Sequence, residues 1–152
     1  MKETVIAIYD IGKTNKKIIL FNEDFKIISE IEEKFPEILD DDGFECDDIE
    51  HIEQWIRKSL ATLVHSEKYD LKAVNFTTYG ATLAYLDESG NRLTPIYNYL
   101  KPMDEKIAEN LYKRYGGTDE FCRRTASPAL GMLNSDAVPI LIALRPSAPS
   151  KR

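Results

Sequence analysis

The 152-residue sequence has no run of 18 apolar residues, so no segment of it reads as a bilayer-spanning helix. It has only two cysteines, Cys46 and Cys122, and no CxxC pair, which argues against a zinc site or a disulfide scaffold. Its two histidines, His51 and His65, fall four turns apart on one expected helix and share no metal-ligand spacing; they read as surface residues. Basic residues are outnumbered, 20 Lys and Arg against 26 Asp and Glu, for a net charge of −6. That balance excludes a nucleic-acid binder that works by phosphate neutralisation. The opening MKETVIAIYD runs straight into a strand pattern and lacks the form of a secretory signal. The expectation is a cytoplasmic protein with neither nucleic acid nor membrane as partner. No repeat is visible.

What is present is 43% hydrophobic and 30% charged, the composition of a globular α/β chain. Charge is uneven: positions 37 to 50 hold acids and no base, and no acid follows Asp136. Thr4 to Asp10 (TVIAIYD) is a near-continuous apolar run, the mark of a strand buried on both faces. Lys17 to Phe21 and Phe25 to Phe35 read as second and third strands. Short polar connections at 10–15 and 22–24 make the three an antiparallel meander. Asp47 and Glu50 have capping-box spacing, and Ile49, Ile52, Ile56, Leu60 and Leu63 recur at helical intervals. Leu71 to Thr77 is a fourth strand, compatible with a crossover that lays it parallel to an earlier one. Thr82 to Asp87 and Arg92 to Ile96 predict a hairpin around Gly90, and Pro102 to Tyr115 a helix stopped by Gly116-Gly117.

The sharpest chemical signal is Asp10-Ile11-Gly12-Lys13-Thr14-Asn15-Lys16-Lys17. A buried strand delivers a carboxylate to its end, followed by a glycine and a hydroxyl in a tight turn. Such a turn can aim successive backbone N–H groups at a phosphate. Gly12 removes a Cβ that would block close approach, and Thr14 adds a hydroxyl donor. Asp10 can hold Mg²⁺ directly or through water, since hard cations prefer oxygen ligands. Lys13 or Lys17 can offset phosphate charge. An ordinary hairpin turn rich in Gly and Asn has the same pattern. A P-loop is excluded, because Ala7 stands where its first glycine belongs and the following segment reads as strand.

Other features carry less. Anchoring a calcium loop on Gly43 puts Ile38 and Ile49 at ligand positions, so Asp40-Asp41-Asp42 reads as a solvated turn. Trp55 beside the apolar stripe reads as packing, and Arg123-Arg124 as a solvated pair. Asn75-Phe76-Thr77 is a glycosylation pattern inside an expected strand and is discounted.

Three blocks in order, DIGKTNKK at 10–17, FTTYGATLAYLDESGNRLTPIYNY at 76–99 and FCRRTASPALGMLNS at 121–135, resemble the N-terminal part of the FGGY carbohydrate kinases, in particular the rhamnulokinase-like and fuculokinase-like members. These belong to the actin-like ATPase superfamily, and the resemblance spans about Val5 to Ser135. It implies a ribonuclease-H-like α/β subdomain: a mixed sheet that starts with a three-stranded antiparallel meander, with flanking helices. By resemblance Asp10, Gly12 and Thr14 match the first phosphate loop, and Thr78-Tyr79-Gly80-Ala81 a strand-end motif that lines the sugar site. The stretch 97–101 matches a sugar-contacting W-x-D-x-R segment. Here Tyr99 replaces the acid and Lys101 the arginine, a point charge in place of a planar fork. The implied ligands are ATP, Mg²⁺ and a small sugar.

In that family ATP lies between two actin-like domains, and the general base comes later than the position matching residue 135. The expectation is therefore an N-terminal fragment of a sugar kinase, residues 1–135, inactive alone. Residues 136–152 form an atypical Pro-rich tail of frameshift or cloning-junction origin. Surfaces normally covered by the absent part would favour a homo-oligomer. The alternative reading is a non-catalytic binding or assembly module that kept the fold. Another actin-like phosphotransferase, such as an acetate or glucose kinase, would share the Asp10 loop but not the 76–99 block.

Overall fold

The structure is a computed structural model and describes residues 1–102, 105–126 and 129. It divides between Tyr79 and Gly80 into two compact units. The end of the 121–135 block, the boundary at 135 and the tail 136–152 lie outside the described residues. Among the described residues no helix is long and apolar enough to cross a membrane.

The first unit is built on a four-stranded sheet in the order β3 (Ile27–Glu33), β2 (Lys16–Phe21), β1 (Glu3–Ile11), β6 (Tyr69–Thr78). Strand β1 (Glu3–Ile11), β2 (Lys16–Phe21) and β3 (Ile27–Glu33) form the expected antiparallel meander. Alternation along the strands decides what is buried. Val5, Ala7 and Tyr9 of β1 are sealed from solvent, and Lys16, Ile18 and Leu20 are buried on β2. The register pairs Ala7 with Leu20, Tyr9 with Ile18 and Ile11 with Lys16, so the lysine shares a face with the core. Strand β3 begins two residues later than expected. Asn22 Oδ1 accepts from the N–H groups of Asp24 (3.1 Å) and Lys26 (3.0 Å), which draws Phe25 into the turn with φ 58°.

The acidic stretch forms a small hairpin that hydropathy does not mark, β4 (Glu37–Leu39) against β5 (Glu45–Asp47). Asp41 and Asp42 are exposed, as a solvated turn requires, but Asp40 is buried. Its Oδ1 accepts from the N–H groups of Asp42 and Phe44, both at 2.9 Å, and so closes the turn.

Helix α1 (Ile49–Val64) follows. Its cap is Asp48, whose Oδ1 accepts the His51 N–H at 3.0 Å. The Asp47–Glu50 capping box is therefore corrected by one residue, because Asp47 is committed to β5. The apolar stripe of α1 packs on the sheet. Trp55 joins Ala7, Tyr9, Ile18 and Leu20 in the core, with Ile56, Leu60 and Leu63 against them. The Trp55 ring meets Tyr9 edge-on at 5.6 Å and Phe35 at 5.6 Å, and its indole N–H donates to Glu33 at 3.0 Å. Tyr9 hydroxyl lies 3.0 Å from Ser59 Oγ, and Ser59 donates its own proton to the Trp55 carbonyl at 2.7 Å. The chain then returns as β6 (Tyr69–Thr78), parallel to β1, with Asp10 opposite Thr77.

In the second unit the hairpin expected at 82–96 reduces to one bridge, Leu86 with Arg92. Asp87 Oδ1 accepts from the N–H groups of Ser89 (2.9 Å) and Asn91 (2.8 Å), so the turn exists. Tyr85 and Ile96 are buried while Leu83, Leu86 and Leu93 are exposed, and Pro95 cannot donate to a ladder, so the flanks pair beside the turn, where the Leu93 N–H donates to the Tyr85 carbonyl at 2.8 Å, and do not extend into strands. Helix α2 (Glu105–Arg114) ends as expected at Gly116 and Gly117, both with positive φ. Helix α3 (Thr118–Thr125) follows, and its Phe121 ring lies 5.3 Å from that of Tyr112.

Because Trp55 is buried among rings and aliphatic side chains, Trp55→Ala is expected to lower stability by about 3–5 kcal/mol. Urea denaturation followed by far-UV circular dichroism measures it.

Candidate functional site

The turn 12–15 leaves β1 at Ile11 and enters β2 at Lys16. Its shape demands glycine at the first position. A Cβ on Gly12 would stand 2.7 Å from the Asn15 carbonyl oxygen, a backbone atom that cannot step aside alone. Gly12 thus makes the turn itself possible. Asp10 sits half-buried at the strand end, and its carboxylate has no hydrogen bond or ion pair among the described residues. The N–H groups of Lys13 and Thr14 likewise have no hydrogen-bond partner among the described residues. Thr14 is exposed. Asn15 Oδ1 is buried without a partner. Unpartnered oxygen and amide groups of this kind suit a hard cation and an anion respectively.

The lysines are differently placed. Lys17 extends to Glu30 (2.8 Å) and Glu32 (3.0 Å) on β3, and these carboxylates push its pKa up beyond the usual lysine range. Lys13 Nζ donates to Glu37 and, at 2.9 Å, to Asp47 Oδ2. Burial works against its charge, but the two carboxylates outweigh that and raise its pKa. The cations expected to face phosphate are therefore balanced by the chain's own acids.

Two residues to which the sequence reading assigns no part in the turn, Lys16 and Asp47, organise it. Lys16, 1% exposed, donates to Asp47 Oδ1 at 2.9 Å and to the Lys13 carbonyl at 3.0 Å. Asp47, 7% exposed, accepts from Lys16, from Lys13 and from the Tyr79 hydroxyl at 2.7 Å. Burial opposes ionisation of Asp47, yet the hydrogen bonds from Lys16, Tyr79 and Lys13 prevail and hold its carboxyl below the ordinary range. The signal was present in β2 parity: Lys16, Ile18 and Leu20 alternate onto one face, and a lysine there needs a counter-charge.

The expected sugar-lining residues are distributed over both units. Tyr79 follows β6, tied by its N–H to the Ile11 carbonyl (3.2 Å) and by its hydroxyl to Asp47. Thr78 Oγ1 donates to the Tyr79 carbonyl at 2.8 Å. In the second unit Gly80 is exposed, and Lys101 Nζ lies 4.6 Å from the centre of the Tyr97 ring.

Residues 5–135 match the N-terminal domain of the FGGY family of carbohydrate kinases. Among solved structures the chain is similar to a carbohydrate kinase from Novosphingobium aromaticivorans, with a TM-score of 0.79 and 19% identity over 96% of this chain and 30% of that one. It is similar to Plasmodium falciparum glycerol kinase with ADP, with a TM-score of 0.70 and 16% identity over 95% and 30%. It is also similar to ligand-bound xylulose kinase from Lactobacillus acidophilus, with a TM-score of 0.64 and 18% identity over 79% and 24%. The chain thus spans 24–30% of the length of these three proteins. At such identities the likeness speaks for the fold, and it agrees with the expected mixed α/β sheet. No curated protein sequence is matched.

Asp47→Asn leaves the Lys16 charge buried without its counter-ion, and is expected to cost about 3–5 kcal/mol at neutral pH. The native pKa of Asp47 lies below the unfolded value of about 3.9, so its contribution is complete above that pH and vanishes as acid protonates the folded group. Urea midpoints read from Trp55 fluorescence should therefore differ between wild type and variant at pH 7 and converge in acid. Gly12→Ala is expected to destabilise by about 1–3 kcal/mol through overpacking against Asn15, measured in the same titration.

Proposed function

The chain belongs to the FGGY family of carbohydrate kinases, and on that premise we propose that it carries the nucleotide-phosphate loop of an ATP-dependent sugar kinase. Gly12 and Thr14 shape the turn that grips the terminal phosphates, with Asp10 acting through the cation, and Lys13 and Lys17 stand nearby with their charge already met by Glu37 and Asp47 and by Glu30 and Glu32. Asp10 holds Mg²⁺ directly or through water. Thr78, Tyr79, Gly80 and Lys101 contribute to the sugar site. When bound, Mg²⁺ neutralises charge on the phosphates. The chain's own part is to place amides and one carboxylate where that charge sits.

The observation that carries this reading is the half-buried Asp10 carboxylate and, in the turn that follows it, the amides of Lys13 and Thr14, all without a partner among the described residues. A carboxylate at the end of a buried strand, with no cation of its own, is an oxygen ligand in waiting. Phosphoryl transfer rests on positioning and charge neutralisation around an in-line geometry. The chain spans under a third of the kinases it resembles, so the proposal includes no turnover by this chain alone.

A second reading, an assembly module, draws support from the outer strands of the sheet. Ile27 and Ile31 on β3 and Phe76 on β6 are exposed apolar side chains on the outer strands of the sheet, whose outer edges pair with no strand among the described residues.

Calorimetric titration with Mg·ATP is expected to show saturable binding that weakens at least tenfold in Asp10→Asn and on removal of Mg²⁺. A coupled ADP-release assay over a sugar panel is expected to stay at background. Absence of nucleotide binding together with a stable oligomer by light scattering would favour the assembly reading, and brisk sugar-dependent ADP release would refute the claim of no turnover.

A further inference from the structure

Lys16 holds a position that a phosphate loop does not obviously require. It is a fully buried ammonium whose hydrogen bonds run to one side chain, Asp47, and to one backbone oxygen, that of Lys13. The Lys13 carbonyl belongs to the same peptide unit as the Thr14 N–H. No peptide bond in the described chain is cis, and across a trans peptide C=O and N–H point in opposite directions. A carbonyl drawn inward onto a buried ammonium therefore turns the Thr14 N–H outward. Thr14 is exposed, and its N–H meets no partner among the described residues.

We propose that Lys16, anchored by Asp47, is the positioning residue of the phosphate loop: it pins the Lys13 carbonyl and so aims the Thr14 amide at an incoming phosphate. Asp47 makes this orientation rigid because its other contacts reach Lys13 and Tyr79, on separate segments. Lys16 itself touches no ligand. Its charge is spent beneath the turn, and what the phosphate meets is an amide already facing it, with no reorientation left to perform. For the identity of the ligand this inference rests on the kinase reading; the orientation of the peptide does not.

The test is ¹⁵N relaxation of the Thr14 amide, without nucleotide and with Mg·ATP. In the wild-type chain the order parameter is expected near 0.85, the value of rigid backbone; a value below about 0.6 in the wild type overturns the proposal without any variant. Lys16→Met removes the ammonium with little change of length and leaves Asp47 to Lys13 and Tyr79. In a folded Lys16→Met chain the Thr14 order parameter is expected to fall below about 0.6, and Mg·ATP to bind at least tenfold more weakly. An unchanged order parameter, or unchanged affinity, overturns the proposal. If wild type ignores Mg·ATP, the nucleotide reading falls, while the two order parameters still decide the positioning role. If the variant does not fold, the wild-type value decides it.

Discussion

The interaction on which the first unit depends is the pairing of a buried ammonium with a buried carboxylate, Lys16 with Asp47. Neither charge could be removed from water alone without a penalty of several kcal/mol. Each is tolerable because the other is 2.9 Å away and because further hydrogen bonds support both: Lys13 and Tyr79 at Asp47, the Lys13 carbonyl at Lys16. The pair joins the start of β2, the end of β5 and the residue after β6, segments that are far apart in the chain. A network with this many members tolerates few alternative arrangements, since moving any one leaves a buried group unsatisfied. The β4–β5 hairpin, which looks like an acidic ornament in the sequence, exists in this light to bring Asp47 under the turn.

That constraint connects to chemistry through pre-organisation. A loop that must reorganise to receive a charged ligand spends part of the interaction energy on its own ordering. Here Gly12 allows the turn to close onto Asn15, and Lys16 sets one peptide within it. Asp10 stands clear of both arrangements, at the end of a strand that is paired on either side by β2 and β6. Its position is fixed by two ladders of hydrogen bonds, while its carboxylate has no partner among the described residues. Rigid backbone with an available oxygen is what a metal-assisted phosphate site asks of its scaffold.

Much of the first unit was legible in the sequence because its elements are periodic and long. The apolar run of β1, the β-branched run of β2 and the stripe from Ile52 to Leu63 each have one physical solution, and the crossover to a parallel β6 follows from their order. The misreadings have local causes. Asp48, not Asp47, caps α1, since two adjacent acids give pattern rules no way to choose between a cap and a buried ion pair. The 82–96 segment has a turn signal at Asp87–Asn91, but burial does not alternate along its flanks, with Tyr85 and Ile96 buried and Leu83, Leu86 and Leu93 exposed, so it makes a turn without strands. Lys16 escaped notice because a lysine after a Gly-Asn turn looks solvated, and only its parity with Ile18 and Leu20 says otherwise. Asp10, Gly12 and Thr14 could be picked out as candidates because strand end, glycine and hydroxyl are adjacent in sequence. The Lys16–Asp47 pair could not, because its partners meet only after the fold has formed.

The parallel pairing of β1 with β6 has one more consequence. β1 can pair with β2 as soon as the turn 12–15 closes, a local event. Its opposite edge stays open until the chain through Thr78 has been made and α1 has carried it back across the sheet. The central strand of the unit is thus completed last on one side, by its most distant neighbour in sequence, and the entropy of closing that long excursion falls late in the folding reaction. Tyr79, at the far end of β6, reaches Asp47 only after that closure. On the ribosome, the turn's full set of tethers would therefore be assembled by the final residues of the unit to emerge.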